Sequence, residues 1–208
     1  MRGARRGWWL VVVLGLLASR AWATGSVVPH VVREGETPES LAVAFYGDRN
    51  LAIFIREWNA IGTQGRLAAG RRIEIPSATA WRVRRGDTLE ALARKQLGDG
   101  RRAFYLAQVN GIKLKDTLPV GGRLWLPFHL VYRAQAPESL AAIAKKFYRD
   151  EGQGKLLADY NFRSSMVLAR GERLVVPVPH VRVSAAAVAK ERGETGTGET
   201  GVAQAPSP

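Results

Sequence analysis

Short stretches of alternating apolar and polar residues occur at three places in the chain, and apolar residues at helical spacing follow them. The alternating stretches are His30–Arg33, Trp81–Arg84 and His129–Tyr132. Alternation over so few residues predicts a short strand, and it aligns His129 with His30 and Trp81. After the second stretch, Leu89, Leu92 and Leu97 share one side of a helix that Thr88 is suited to cap. The pattern therefore predicts a strand that leads into an amphipathic helix.

A second helical segment follows each first helix and ends at an asparagine. A final strand comes after it and is terminated by a proline, which cannot donate to a strand ladder. The final strands are predicted at Arg72–Ile75, Arg123–Leu126 and Arg173–Val176. The whole pattern predicts an α+β fold of three tandem small β-α-α-β units. In each unit, two helices cover one face of a two-stranded antiparallel sheet.

The three asparagines give the period of the repeat. Asn59, Asn110 and Asn161 lie 51 residues apart (110 − 59 and 161 − 110). Each is followed by a Leu-x-x-Gly turn and, six residues after that glycine, by a proline. A fixed period of this kind is typical of tandem modules and favours multivalent binding over a single catalytic centre. We assign the repeats to residues 30–77, 81–128 and 129–178, with spacers short enough to predict a compact tandem.

The two ends of the chain differ from the repeats. Residues 1–23 combine arginines near the start with the apolar run Trp8–Leu17 and the small-x-small tripeptide Ala21–Ala23. This is the pattern of a secretory signal peptide cleaved after Ala23, and the alternative is an uncleaved N-terminal anchor. No later segment is long and apolar enough to predict a membrane helix. Residues 182–208 lack aromatic and periodic apolar positions, which predicts a disordered tail.

The composition and net charge of the chain limit the classes of binding partner that we expect. The 208 residues include no cysteine, and 31 basic against 18 acidic side chains give a formal net charge of +13. Removal of the predicted signal takes four arginines and no acid, which leaves a net charge of +9. One interpretation of this charge is that an exported basic protein is attracted to anionic polymers of the cell envelope. The alternative is that the scattered arginines are ordinary solvated surface residues.

Three motifs in fixed order resemble the LysM domain, a small module that binds N-acetylglucosamine-containing polysaccharides such as peptidoglycan and chitin. They are Val-Arg-Arg-Gly-Asp-Thr-Leu at Val83–Leu89, Ile-Ala-Lys-Lys-Phe-Tyr at Ile143–Tyr148, and the ending Asn…Leu-x-x-Gly…Pro in all three repeats. The resemblance covers about residues 30–178. It implies a shallow glycan groove between the loop after the first strand and the loop after the second helix.

Carried over residue by residue, the resemblance implies a site in repeats one and two. The matching positions are Gly35, Glu36, Thr37, Pro38, Asn59, Ala60 and Ile61, and Gly86, Asp87, Thr88, Leu89, Asn110, Gly111 and Ile112. Loop amides and short polar side chains suit an acetamido sugar, while an isoleucine or leucine packs against its methyl group. Structural roles compete with this interpretation, because a threonine here also caps a helix and an asparagine also ends one.

Repeat three departs from the pattern. The spacing from the strand valine to the end of the first helix is 14 residues in repeats one and two, but 17 residues from Val131 to Tyr148. Either Ser139 replaces the capping threonine after a longer loop, or Pro137–Leu140 matches Pro38–Leu41 and the helix gains a turn. Both alignments alter the groove, so repeat two is the best candidate for a working site.

Nothing in the sequence predicts an enzyme, a cofactor or a metal site. There is no cysteine nucleophile, and the three histidines lack metal-ligand spacing. We expect non-catalytic binding of peptidoglycan or a related polymer by a protein of the periplasm, cell wall or extracellular space. The alternative is an envelope scaffold whose repeats pack against protein partners. Export argues against nucleic acid as a partner.

Overall fold

The computed structural model describes residues 26–62 and 65–193. The predicted signal peptide and the residues after 193 lie outside this range. Within it, none of the helices combines the length and apolar character that a membrane span requires.

Three successive units have the same order of elements. The first contains β1 (Ser26–Val31), α1 (Pro38–Tyr46), α2 (Ala52–Trp58) and β2 (Arg72–Ser77). The second contains β3 (Thr79–Arg82), α3 (Leu89–Leu97), α4 (Ala103–Val109) and β4 (Arg123–Leu126). The third contains β5 (Phe128–Arg133), β6 (Glu138–Ser139), α5 (Leu140–Tyr148), α6 (Gly154–Tyr160), β7 (Val167–Leu168) and β8 (Arg173–Val178). The outer strands of each unit pair antiparallel, and the α+β fold class is confirmed.

The two helices of each unit are joined by a tight corner. In the first two units, Gly47 and Gly98 end the first helix in the left-handed conformation. One turn of 3-10 helix follows, and an aspartate caps it by accepting a backbone N–H two residues on. These aspartates are Asp48, Asp99 and Asp150. Local hydrogen bonds therefore set the angle between the helices, which lets both cover one sheet face.

A side-chain clamp closes every unit. The amide nitrogen of Asn110 donates to the carbonyls of Leu106 and Trp125, at 2.8 and 3.0 Å, and its oxygen accepts from the Trp125 N–H at 2.6 Å. Asn59 and Asn161 make the equivalent three bonds. The repeated asparagines thus fasten the second helix to the final strand. Their own φ is near −100°, and it is the next residue that adopts a left-handed conformation.

The strand register corrects our alignment of repeat three. Tyr132 pairs with Leu174 as Trp81 pairs with Leu124 and His30 with Ile73. Aligning His129 with these residues is therefore wrong, and the loop is not lengthened. The period of 51 residues continues to Ser139, which caps α5 by accepting from the Ala142 N–H. The alignment with Ser139 in the capping position is the right one, and a longer helix is not observed.

The third unit lies between the other two and packs against both. From the first unit, Phe54 is fully buried with its ring centroid 6.0 Å from that of Phe128, and Trp58 stacks edge-on against the same ring at 5.7 Å. From the second unit, Tyr105 packs against Tyr160 with centroids 4.9 Å apart. The aromatic residues of the second helices thus form contacts between units, in addition to their contacts within single units.

Residues 182–193, the described part of the predicted disordered tail, are ordered, and the rest of that prediction lies outside the described residues. This segment forms α7 (Ala185–Glu191), capped by Ser184. Val183 and Ala187 pack against the first unit's core, and the Arg33 side chain donates to Glu191 at 3.1 Å. Sequence periodicity misses this helix because only one turn of apolar residues is needed for docking. The segment therefore connects the third unit back to the first.

Candidate glycan-binding site

In the second unit, the loop between β3 and α3 is a tight turn built around Gly86. Its φ of +86° is in the left-handed region, and a Cβ there would meet no other atom within 4 Å. Glycine is therefore required for the backbone conformation and not for space. The turn is exposed, and within it the Asp87 N–H donates to the Arg84 carbonyl at 3.1 Å.

Asp87 holds this turn in place. One carboxylate oxygen accepts from the Arg84 N–H and from the indole N–H of Trp81, both at 2.8 Å. The Arg84 backbone hydrogen bond, followed by the Trp81 hydrogen bond, lowers the pKa of Asp87. The cationic groups of Arg84 and Lys95 lie 5.0 and 5.8 Å from the Trp81 ring centroid. Asp87 therefore connects the loop to the strand and keeps the groove wall in one conformation.

The first unit repeats this arrangement with different residues. Glu36 accepts from the Arg33 N–H at 2.8 Å and contacts the His30 ring nitrogen at 2.6 Å. Burial opposes ionisation of Glu36, but the hydrogen bonds from Arg33 and His30 outweigh it and lower the pKa of the carboxyl. The other ring nitrogen of His30 lies 3.0 Å from Glu191 of α7. Sequence reasoning missed this partnership, although the acidic residue stands six positions after the strand residue in every unit.

The threonines of the two loops are exposed helix caps. Thr37 accepts from the Ser40 N–H and Thr88 from the Ala91 N–H, each at 3.1 Å. A hydroxyl that accepts one bond keeps its own proton for donation. Pro38 and Leu89, the next residues, are buried beneath the loops. Capping and ligand contact are thus compatible at the threonines, whereas Pro38 and Leu89 support the groove from inside.

The second loop of the predicted groove starts at the clamp asparagines. Asn59 and Asn110 donate both amide hydrogens within the protein, so neither has a donor left for a sugar. The residues after them, Ala60 and Gly111, are exposed and left-handed, with φ of 51° and 65°. Ile112 is half-buried against the core, and its counterpart Ile61 is 6% exposed.

The side chains predicted to bind sugar are therefore largely committed to the protein itself. What the second unit presents is exposed backbone at Gly86 and Gly111, the exposed Thr88, and apolar side chains between Asn110 and β4. These side chains include Leu114 and Val120, which are 48% and 68% exposed. The Gly111 N–H donates to the Gln108 carbonyl at 3.2 Å, so it is not available to a ligand. Exposed backbone and a hydroxyl suit hydrogen bonding to the acetamido and hydroxyl groups of an amino sugar, and exposed apolar side chains suit its methyl group.

The third unit has no such open groove. Pro137 stands where Gly35 and Gly86 stand in the other units, and proline cannot adopt a positive φ. The loop instead extends as β6, which pairs with β7 from the opposite loop through Glu138–Leu168 and Ser139–Val167. The Leu140 N–H also donates to the Met166 carbonyl at 2.8 Å. Backbone pairing thus joins the two walls that would enclose a ligand.

The second loop of the third unit is also engaged by its neighbour. Phe162 follows the clamp asparagine in the left-handed conformation, with φ of 55°. The guanidinium carbon of Arg101, from the second unit, lies 3.6 Å from the centroid of its ring. This cation–π contact stabilises the interface of the two units at the position that Gly111 leaves open in the second unit.

Metal chemistry has no candidate centre in the described part of the chain. Across residues 26–62 and 65–193, no three His, Cys, Asp or Glu side chains are grouped to hold an ion.

The family comparison identifies the class of module. The LysM domain model matches residues 30–76 and 82–127. These segments are the first two units, and the matched residues end before the third. The first two units therefore match the LysM domain family, and LysM domains are modules associated with binding of N-acetylglucosamine-containing glycans.

Two curated relatives match this chain over 135 residues at 36% identity. They are Esterase MT1326 and Esterase Rv1288 from two strains of Mycobacterium tuberculosis, CDC 1551 / Oshkosh and H37Rv. The match covers 65% of this chain and 30% of the relatives, so the chain spans less than a third of their length.

Among solved structures, similar chains include the spore cortex-lytic enzyme SleL of Bacillus megaterium QM B1551. It is 28% identical, with 50% of this chain and 23% of that chain covered and a TM-score of 0.24. The LYK3 ectodomain is 14% identical, with 75% and 91% covered and a TM-score of 0.25.

Proposed function

We propose that this protein binds N-acetylglucosamine-containing cell-wall glycan, as in peptidoglycan, without catalysing a reaction on it. The observation that carries the proposal is the groove of the second unit. There, the turn at Gly86 and the left-handed Gly111 present exposed backbone, and the Thr88 residue that ends the turn is exposed. The groove belongs to a segment that matches the LysM family. The predicted signal peptide supports binding outside the cytoplasm.

Two grooves, and not three, account for binding in this proposal. The first and second units keep the glycine turn, whereas β6–β7 pairing closes the third. Two weak sites on one compact body gain avidity for a polymer, since binding at one raises the effective concentration at the other. The third unit then holds the two binding units at a defined separation.

An envelope scaffold is the second candidate function, and the third unit is the observation that favours it. Its loops are occupied by backbone pairing and by the Arg101–Phe162 contact, as expected of a unit specialised for packing. The named activity of the esterase relatives is not carried over to this chain, because it spans only 30% of their length.

Co-sedimentation with purified peptidoglycan at low and high salt tests the proposal. The double change Asp87→Ala and Thr88→Ala removes the support of the turn and the exposed hydroxyl, so we expect bound protein to fall by about tenfold at both salt concentrations. The matched control is Glu138→Ala with Ser139→Ala, the equivalent pair in the closed unit, which should bind as the unaltered protein does. Circular dichroism confirms that each variant is folded.

Two results would reject glycan recognition by the groove. Binding that survives the Asp87/Thr88 change but disappears at high salt would show charge attraction alone, since salt screens exposed charges. An equal loss in the control pair would show that these residues matter only for folding.

A further inference from the structure

A cleft between the first and third units continues from the second groove loop of the first unit. Ala60 and Ile61 line one wall, and residues 131–133 of β5 line the other. The cleft is open to solvent and has a volume of about 730 Å³. A chain lying in the first unit's groove would therefore extend into a space that only the packing of the two units creates.

Two ion pairs border this cleft, and within each pair the positive and negative charges cancel. Arg56 donates to Glu39 at 2.9 Å and also to the Gly62 carbonyl at 3.0 Å. Burial opposes ionisation of Glu39, but the Arg56 hydrogen bond outweighs it and lowers the pKa of the carboxyl. Lys146 of the third unit donates to Glu57 of the first at 2.8 Å. These pairs hold the walls together and leave no net charge.

Two further arginines add positive charge, and neither forms a hydrogen bond or ion pair with a carboxylate of the described residues. The Arg49 side chain is exposed and makes no hydrogen bond or ion pair with any residue that the structure describes, and its charge adds to the lowering of the Glu39 pKa. Arg133, from the third unit, donates through Nε to the Gly171 carbonyl at 3.1 Å, and its contacts in the described residues include no carboxylate. The lining of the cleft thus has an excess of two positive charges, because four cationic side chains face two carboxylates: Arg49, Arg56, Arg133 and Lys146 against Glu39 and Glu57.

We infer that this cleft is an anion subsite that reads carboxylate groups carried by the bound glycan. The inference rests on the proposed function, because it extends the groove of the first unit. A guanidinium pairs with carboxylates through charge-assisted hydrogen bonds, and a partly enclosed cleft is screened less than an open surface. The third unit, whose own groove is closed, contributes to recognition through Arg133. The substrate class is an acidic glycan, as distinct from a neutral polymer such as chitin.

Binding to three soluble ligands tests the inference by calorimetry on the full chain. The ligands are a neutral chitin oligomer, a peptidoglycan fragment with free carboxylates, and the same fragment after amidation of those carboxylates. We expect the acidic fragment to bind about five- to tenfold more tightly than its amidated form. The double change Arg49→Ala and Arg133→Ala should remove this preference and leave chitin binding unchanged.

The control double change is Arg94→Ala with Arg123→Ala, two exposed arginines of the second unit outside the cleft. It lowers the net charge equally and should keep the preference. If the protein binds chitin but has equal affinity for the acidic and the amidated fragment, the subsite alone is overturned. The same holds if both double variants lose the preference for the acidic fragment. Failure to bind any of the three ligands overturns the proposed function as well. Preferential competition by poly(glycerol phosphate) over the acidic fragment would overturn the carboxylate assignment.

Discussion

At the scale of single residues, the repeated letters of this sequence mostly stabilise the fold. The clamp asparagines use both amide hydrogens on backbone carbonyls, and Asp87 supports a turn. A side chain that satisfies the protein's own peptide groups is unavailable to a ligand, although it shapes the surface that a ligand meets. The groove of the second unit therefore depends on these residues indirectly.

We expect Asn110→Ala to lower the free energy of unfolding by about 2–3 kcal/mol, because three half-buried hydrogen bonds are lost and two carbonyls lose a donor. Urea denaturation followed by circular dichroism measures this. Asn50→Ala is the control, since the exposed Asn50 side chain donates only to Asp48, and it should cost less than about 0.5 kcal/mol. Equal costs for the two variants would contradict the clamp.

At the scale of elements, two segments depart from the sequence prediction. The loop of the third unit becomes β6 because a proline occupies the left-handed position of the turn. The segment after β8 becomes α7 because the first unit offers it an apolar surface and the arginine that pairs with Glu191. Both outcomes depend on partners distant in sequence.

Two truncations distinguish a stabilising α7 from the disordered tail that the sequence predicts. Ending the chain after residue 181 removes the Val183 and Ala187 contacts, and the loss of this apolar burial should lower Tm by about 4–10 °C. Ending it after residue 193 keeps α7 and should leave Tm within about 1 °C of the full chain. Differential scanning calorimetry measures both. Identical Tm values for the two truncations would show that α7 does not stabilise the first unit.

At the scale of the whole molecule, the units stabilise one another. Units of about fifty residues without disulfides bury little surface alone, so contacts such as Phe54–Phe128 supply stability that single units lack. The same packing creates the cleft beside Arg49 and Arg133.

Phe54→Ala should therefore destabilise the protein by about 3–5 kcal/mol, since it leaves a cavity between the first and third units. We expect calorimetry to show the first unit melting before the rest. Val43→Ala, at a helix position that is 52% exposed, is the control and should change stability by less than about 0.5 kcal/mol. A single, unshifted transition for Phe54→Ala would mean that the units are stable independently.

The predicted site was only partly readable from the sequence. The glycine turns and threonine caps follow local rules, so spacing alone located the loops correctly at Gly86 and Thr88. The partners of Asp87 and Glu36 could have been found from the constant six-residue spacing to Trp81 and His30. Whether the two loops face solvent or pair with each other depends on the path of each loop in space.

The sequence by itself determined the α+β class, the order of the repeated strands and helices, and the turns and caps that join them. These features follow from hydrophobic periodicity, helix caps and glycine turns, which act over a few residues. Only the tertiary structure decided that the third groove is bridged, that α7 docks on the first unit, and that Arg49 and Arg133 share one cleft. Such contacts join residues far apart in the chain, and their free energy depends on shape and burial that no local pattern records.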